Sequence, residues 1–310
     1  MSTVHEHRIL YLFEAVRLGS VRAAADALDV APSAVSRHIA QLEHELSAVL
    51  VERHRRGVKP TEAGEKVLEY YRQRQAQQEV LLDNLQALRG LQSGTVVLAS
   101  GEGFIEALAA PLCAFSERYP GVELRVNVAG SNEVIRQVTE DEAHLGLIFN
   151  PANDPKLRAH VRQPQPVRVI VNPEHPLAGE KGAVTLQGLD RHRLALPGVA
   201  YGIRQILTLA EQQLGIALSP TLTCNTLAML KRYAMQGGVT LLPAFVVEEE
   251  LRAGRLVALP LLHEVFARPE AQLITRLGRQ LSVGASRLLA MLLQEVGAFQ
   301  DSAAKPLPPV

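Results

Sequence analysis

Arg53, Arg55, Arg56 and Lys59 crowd into one short run opposed only by Glu52, with Gly57 among them to permit a tight turn. Cations at that density can hold the phosphates of a nucleic acid, although a charge run taken alone is more often a solvated loop. What precedes the run decides between the two. Val35, Ile39, Leu42 and Leu46 step by three or four residues, which makes an apolar helical stripe and leaves Ser36, Arg37, His38 and Gln41 off it. A helix with a polar outer face followed by a basic turn is chemistry suited to DNA, and the run reads as a basic wing.

A second chemistry is suggested further on. Gly101 to Gly103 follows an apolar stretch and opens a helical one, and Gly130 to Asn132 repeats the arrangement. Glycine lets the backbone approach a ligand closely, and the free amides at a helix start favour a small anion such as a carboxylate. Open α/β sheets bind ligands beyond the carboxyl ends of their strands, where Ser100 and Ser131 would both sit. Ordinary caps and turns are the alternative reading of each loop.

Catalytic patterns do not emerge. Ser100 lacks the first glycine of a nucleophile elbow, and neither His44-Glu45 nor His263-Glu264 has the second histidine of a zinc protease helix. Glu106 takes the place of the third glycine in a dinucleotide fingerprint. His5 and His7 have no third ligand nearby, and Cys113 and Cys224 stand far apart with no CxxC, so neither a metal nor a disulfide framework is expected. Lys plus Arg equals Asp plus Glu at 32 each, so any nucleic-acid contact must come from a local basic surface. No window approaches the length of a membrane span and the first residues are polar, so a soluble cytoplasmic protein without a cofactor is expected.

The elements that must position these residues follow from periodicity. Ile9, Leu12, Phe13 and Val16 mark a first helix ended by Gly19, Ser20 caps a second over Val21 to Leu28, and Ser33 starts a third: a helix-turn-helix pattern. From Thr61 a helix of about 28 residues, roughly 40 Å, runs towards Gly90. Val67, Tyr71, Leu81, Leu85 and Leu88 share its seam, which should pair with a second copy of the chain, the alternative being packing on its own domain. Beyond Gly94 strands alternate with helices, the signature of a parallel sheet, over a segment long enough for two lobes. The proline-rich stretch Arg162 to Pro166 is a plausible crossing between them. The expected domains are 1–64, a linker helix over 65–92, and 93–300 in two lobes (93–162 with 267–300, and 163–266), followed by a mobile tail at 301–310.

Ala31 to Glu43, Val51 to Arg53, Arg56 to Thr61 and Glu62 to Gly64, in this order and spacing, resemble the N-terminal domain of LysR-type transcriptional regulators. Weaker similarity continues at Pro120-Gly121, Leu145 to Leu147, His175 to Leu177 and Gly237 to Pro243, so the resemblance covers nearly the whole chain. It implies a winged helix-turn-helix, a dimerising linker helix and a two-lobed, periplasmic-binding-protein-like α/β effector domain. Carried over residue by residue, it implies DNA contacts at Ser33, Ser36, Arg37, Arg53, Arg55 and Arg56. The implied effector cleft lies near Ser100, Gly101, Ser131, Tyr201, Gly202 and Thr226. The family usually shows a glycine near Ser47 and a phenylalanine near Val51, so the turn into the wing is expected to pack differently here.

The physics agrees with the carry-over: a guanidinium at Arg37 can bond two acceptors on a guanine edge, Ser33 and Ser36 can reach phosphates or bases, and wing arginines suit phosphate. The resemblance implies a homotetramer, a dimer of dimers, acting on promoter DNA, with RNA polymerase as a further partner and a small-molecule effector between the lobes. Tyr201 and Phe149 leave room for an aromatic or branched acid as that effector. A solute-binding component and an enzyme with an appended DNA-binding module are the competing classes.

Overall fold

In the computed structural model, residues 6–54, 57–88, 93–179, 182–199 and 201–300 are described. The expected tail at 301–310 lies outside them. The chain forms two compact units, Met1–Leu82 and Asp83–Val310.

In the first unit α1 (Glu6–Arg17), α2 (Val21–Ala27) and α3 (Pro32–Leu46) precede a hairpin of β1 (Val51–His54) and β2 (Gly57–Pro60), and α4 (Glu62–Leu88) follows. The hairpin is antiparallel, with Arg53 opposite Val58. Ser20 caps α2 as expected, its hydroxyl accepting from the Ala23 amide at 3.4 Å. Helix α3 starts one residue before Ser33: Ala31 is the N-cap and Pro32, whose fixed φ and missing N–H suit a first helical position, begins the helix. Ile9, Leu12, Ala24, Val35, Ile39, Leu42 and Leu50 make the core. Leu68 and Tyr71 of α4 join it, and Tyr71 lies 5.2 Å from Phe13, so this end of the expected seam is satisfied within its own domain. Leu81, Leu82 and Leu85 of the same helix are exposed.

The turn from α3 to β1 is built without the glycine. Ser47 itself adopts the left-handed conformation at φ 49°. The Glu43 carboxylate accepts from the amides of Leu50 (2.8 Å) and Val51 (3.3 Å), and Val51 is buried. Thr61 both donates to the Val49 carbonyl at 2.6 Å and accepts from the Gly64 amide at 3.0 Å, closing the hairpin onto the start of α4.

The second unit runs β3 (Gly94–Ser100), α5 (Ile105–Arg118), β4 (Val122–Val128), α6 (Ser131–Thr139), β5 (Leu145–Phe149), β6 (Leu157–Pro164), β7 (Val167–Val171), α7 (Leu186–Leu189), β8 (Leu194–Pro197), α8 (Gly202–Leu214), β9 (Leu222–Cys224), α9 (Leu227–Met235), β10 (Val239–Pro243), α10 (Glu248–Arg252), β11 (Val257–Pro260), β12 (Glu270–Arg276) and α11 (Val283–Glu295). One sheet has the order β4-β3-β5-β12-β6 and the other β11-β7-β10-β8-β9. They are mixed rather than parallel. β3 pairs in parallel with β4 and β5, and β8 with β9 and β10, but β12 runs antiparallel to β5 and β6, and β7 to β10 and β11.

The reversed strands are those that follow a passage between sheets. The chain leaves the first sheet after β6 and returns to it as β12, so part of the expected crossing, through Pro164, is strand. The two passages lie side by side: the Gln165 amide donates to the Pro269 carbonyl at 2.7 Å, and the buried Gln165 side chain donates to the Ala298 carbonyl at 2.8 Å. A hydrophobic cluster extends through both lobes, from Val96, Leu98 and Leu145 to Val169, Leu196 and Leu241.

Candidate DNA-reading face and effector cleft

Burial of Val35, Ile39 and Leu42 turns the opposite side of α3 outward. Ser33, Arg37 and Gln41 are exposed and Ser36 is half-buried. His38 does not share that face. Its ring stacks on Tyr11 at 4.5 Å and 3°, with His7 edge-on at 5.9 Å. Burial, reinforced by the positive charge of Arg37, holds its pKa below the ordinary histidine value, so it is uncharged at neutral pH. Arg53 is in β1, Lys59 in β2 is exposed, and Arg55 and Arg56 fall outside the described residues.

The hairpin is seated by Gly57. At φ +120° its backbone suits glycine, and a Cβ there would lie 2.3 Å from the Gly19 carbonyl oxygen. The neighbouring Val58 amide donates to that oxygen at 3.0 Å. The turn that ends α1 thus anchors the wing.

The cleft of the second unit is lined from both lobes. A cavity of about 40 Å³, room for a few waters, remains among Gly101, Phe104, Ser131, Phe149, Tyr201 and Phe245. Gly202 also lines it, and a Cβ there would come within 2.6 Å of the Phe149 carbonyl oxygen. The Ser131 hydroxyl donates to that same oxygen at 3.2 Å. Ser100 is fully buried and donates to the Gly101 carbonyl at 3.1 Å, behind the cavity and outside its lining.

Glu102, a residue the sequence reading passed over, occupies the middle of this arrangement. Its Oε1 accepts from the Thr226 hydroxyl at 2.6 Å and from the amides of Leu227 (2.8 Å) and Ala228 (3.3 Å) at the start of α9. Its Oε2 accepts from the Tyr201 hydroxyl at 2.8 Å, which also contacts the Asn225 carbonyl. Burial would raise the Glu102 pKa, but the bonds from Thr226, Leu227, Tyr201 and Ala228 outweigh it and leave the group below the ordinary carboxylate value. Burial and the adjacent carboxylate push the Tyr201 hydroxyl upward, so it stays protonated and able to donate. One turn along α5, Glu106 reaches Lys231 at 2.5 Å, and Lys231 also meets Glu250 at 2.9 Å. The expected relation is inverted: the glycine loop supplies an anion to a helix start instead of waiting for one. The only local sign was a carboxylate between two glycines, and its partners lie 99 to 126 residues away.

A winged helix-turn-helix followed by a two-lobed binding domain defines a ligand-responsive DNA-binding regulator. Residues 7–65 match the family model described as "Bacterial regulatory helix-turn-helix protein, lysR family", and residues 89–297 match "LysR substrate binding domain". The chain belongs to the LysR family of transcriptional regulators. It is 28% identical to the RuBisCO operon transcriptional regulator of Allochromatium vinosum over 93% of this chain and 95% of that one. It is 30% identical to the SDS degradation transcriptional activation protein of a Pseudomonas species, over 89% and 92%. Among solved structures, full-length OxyR from Pseudomonas aeruginosa superposes with a TM-score of 0.67 at 16% identity, over 99% and 100% of the two chains. The protein is a DNA-binding transcriptional regulator with an effector-binding domain, and not an enzyme. Among the described residues no helix is long and apolar enough to cross a membrane.

Proposed function

We propose that this regulator acts in the cytoplasm as a dimer of dimers on pseudo-palindromic promoter sites, in contact with RNA polymerase. Arg37 reads base edges from α3, Ser33 and Ser36 contact phosphate or base, and Arg53, Arg55 and Arg56 hold phosphates from the wing. The observation that carries this assignment is the outward face of α3, where Ser33 and Arg37 are exposed above a fully buried apolar stripe. The exposed Leu81, Leu82 and Leu85 of α4 supply the seam between copies.

The effector enters between the lobes 93–162 with 267–300 and 163–266, meeting Gly101, Ser131, Tyr201, Gly202 and Thr226, with Ser100 supporting from behind. Its binding shifts the balance between open and closed lobes by its differential affinity for the two. With the start of α9 filled, an effector carboxylate has the start of α6, at Gly130 to Asn132, as its anchor. A salt-titrated binding assay on DNA upstream of the protein's own gene, against scrambled DNA, tests the reading. Selective binding that Arg37→Ala abolishes is expected; no selective site anywhere in the genome, with or without candidate effectors, would overturn it.

A further inference from the structure

Glu102, in the 3-10 turn that leads into α5, and Glu106, in the first turn of α5, are four residues apart, and their partners, Leu227 and Lys231, are four apart at the start of α9. Two successive turns of helix on one lobe therefore meet two successive turns on the other. The inner contact is the more elaborate. It uses donors of the kind a bound carboxylate would use: two backbone amides and the Thr226 hydroxyl at that helix start, and the Tyr201 hydroxyl from the start of α8. The cavity beside it, with about 40 Å³ for water-sized occupants, is bordered by Glu102 itself. Phe104 and Phe245 close the same junction, their rings 5.0 Å apart.

We propose that Glu102 is an internal ligand: the chain carries within its own loop the carboxylate that fills the anion subsite of the cleft and latches the lobes together. The subsite at the head of α9 therefore has carboxylate chemistry but is closed to outside anions while Glu102 is in place. An effector must either leave the latch intact or displace it. The inference rests on the effector-cleft reading only for its regulatory meaning; the latch itself stands on the contacts above.

The test is chemical rescue in the full-length protein. Glu102→Ala removes the carboxylate together with one methylene, and propionate, a small carboxylate as long as the whole glutamate side chain, is the probe that can replace it. Hydrogen exchange at the Leu227 and Ala228 amides is followed in the wild type, in Glu102→Ala and in Glu102→Gln. Exchange in Glu102→Ala is expected to speed up at least tenfold, and propionate is expected to restore protection in a saturable way while propionamide does so poorly. The wild type should show no propionate-dependent change at these two amides. Glu102→Gln, which keeps the shape and loses the charge, should fall between. Unchanged exchange in Glu102→Ala, or equal propionate protection in variant and wild type, would overturn the internal-ligand assignment. Rescue at the amides with DNA binding indifferent to Glu102 and to propionate would uphold the latch and instead count against this cleft as the regulatory site.

Discussion

Gly57 rests directly on the carbonyl of Gly19, so closely that no side chain fits between the tip of the hairpin and the turn after α1. The position of the wing is therefore fixed by a backbone contact across the domain. Gly57→Ala combines a clash at 2.3 Å with a φ of +120° that alanine rarely adopts. It should destabilise the domain by about 1–3 kcal/mol, as expected for enforced backbone strain. DNA affinity should fall for all sequences together. Denaturant melts with parallel binding titrations check this, and an unchanged midpoint would disprove the seating.

Arg37 and the wing should fail differently. Arg37→Ala is expected to cost about 1–3 kcal/mol on the cognate site and little on scrambled DNA, because a base-edge contact is lost. Arg53→Ala should weaken both alike and reduce the slope of log affinity against log salt by about one. If Arg37→Ala lowered both affinities equally, its base-reading role would be refuted.

Ser47 is a non-glycine residue held at φ 49°. Left-handed backbone costs an L-residue about 1–2 kcal/mol, partly offset by the greater chain entropy that glycine loses on folding. Ser47→Gly should accordingly raise stability, by about 0.5–1 kcal/mol. Chemical denaturation provides the measurement, and a lowered midpoint would contradict it.

Acid should loosen the cleft. The Glu102 pKa is held below its ordinary 4.5 in the folded protein, so its contribution is fully present above the unfolded value and disappears as pH falls through the folded one. The stability difference between wild type and Glu102→Gln should be constant near neutrality and shrink on acidification below about pH 4.5. Thermal melts of both proteins across this range measure it, and a difference that widened in acid would have the wrong sign.

Leu81 and Leu85 should matter to assembly and not to the core of the first unit. Changing both to Ser removes exposed apolar surface at about 25 cal/mol per Å² of what a partner would cover. Sedimentation should show smaller species, with the far-ultraviolet spectrum retained. Unchanged sedimentation would place the subunit contact elsewhere.

Local period was enough to read α3 and its polar face, since the stripe through Val35, Ile39 and Leu42 is set within a few turns of chain. Ser20 and Gly19 were legible for the same reason. Strand direction was not: β12 runs antiparallel to β5 because of where the chain re-enters the sheet, which no window of residues encodes. β6 was hidden by its alternating, partly exposed positions and by Pro164 and Pro166, which imitate a linker. Tyr71 fitted the seam by register but is claimed by Phe13 and Leu68 of its own domain. Glu102 stood in plain view as a spacer between glycines, its role visible only once residues 201 and 226–228 are beside it.

The interleaving of the two sheets also governs the order in which the molecule can be made. β12 lies between β5 and β6 and bonds to both, yet it emerges from the ribosome only after the whole of the second lobe. The first lobe is thus begun first and finished last. Until residues 270–276 appear, β5 and β6 present unpaired edges, the state in which a nascent chain is most exposed to mispairing. The second lobe, whose five strands are contiguous in the chain, can complete its sheet while the first is still waiting.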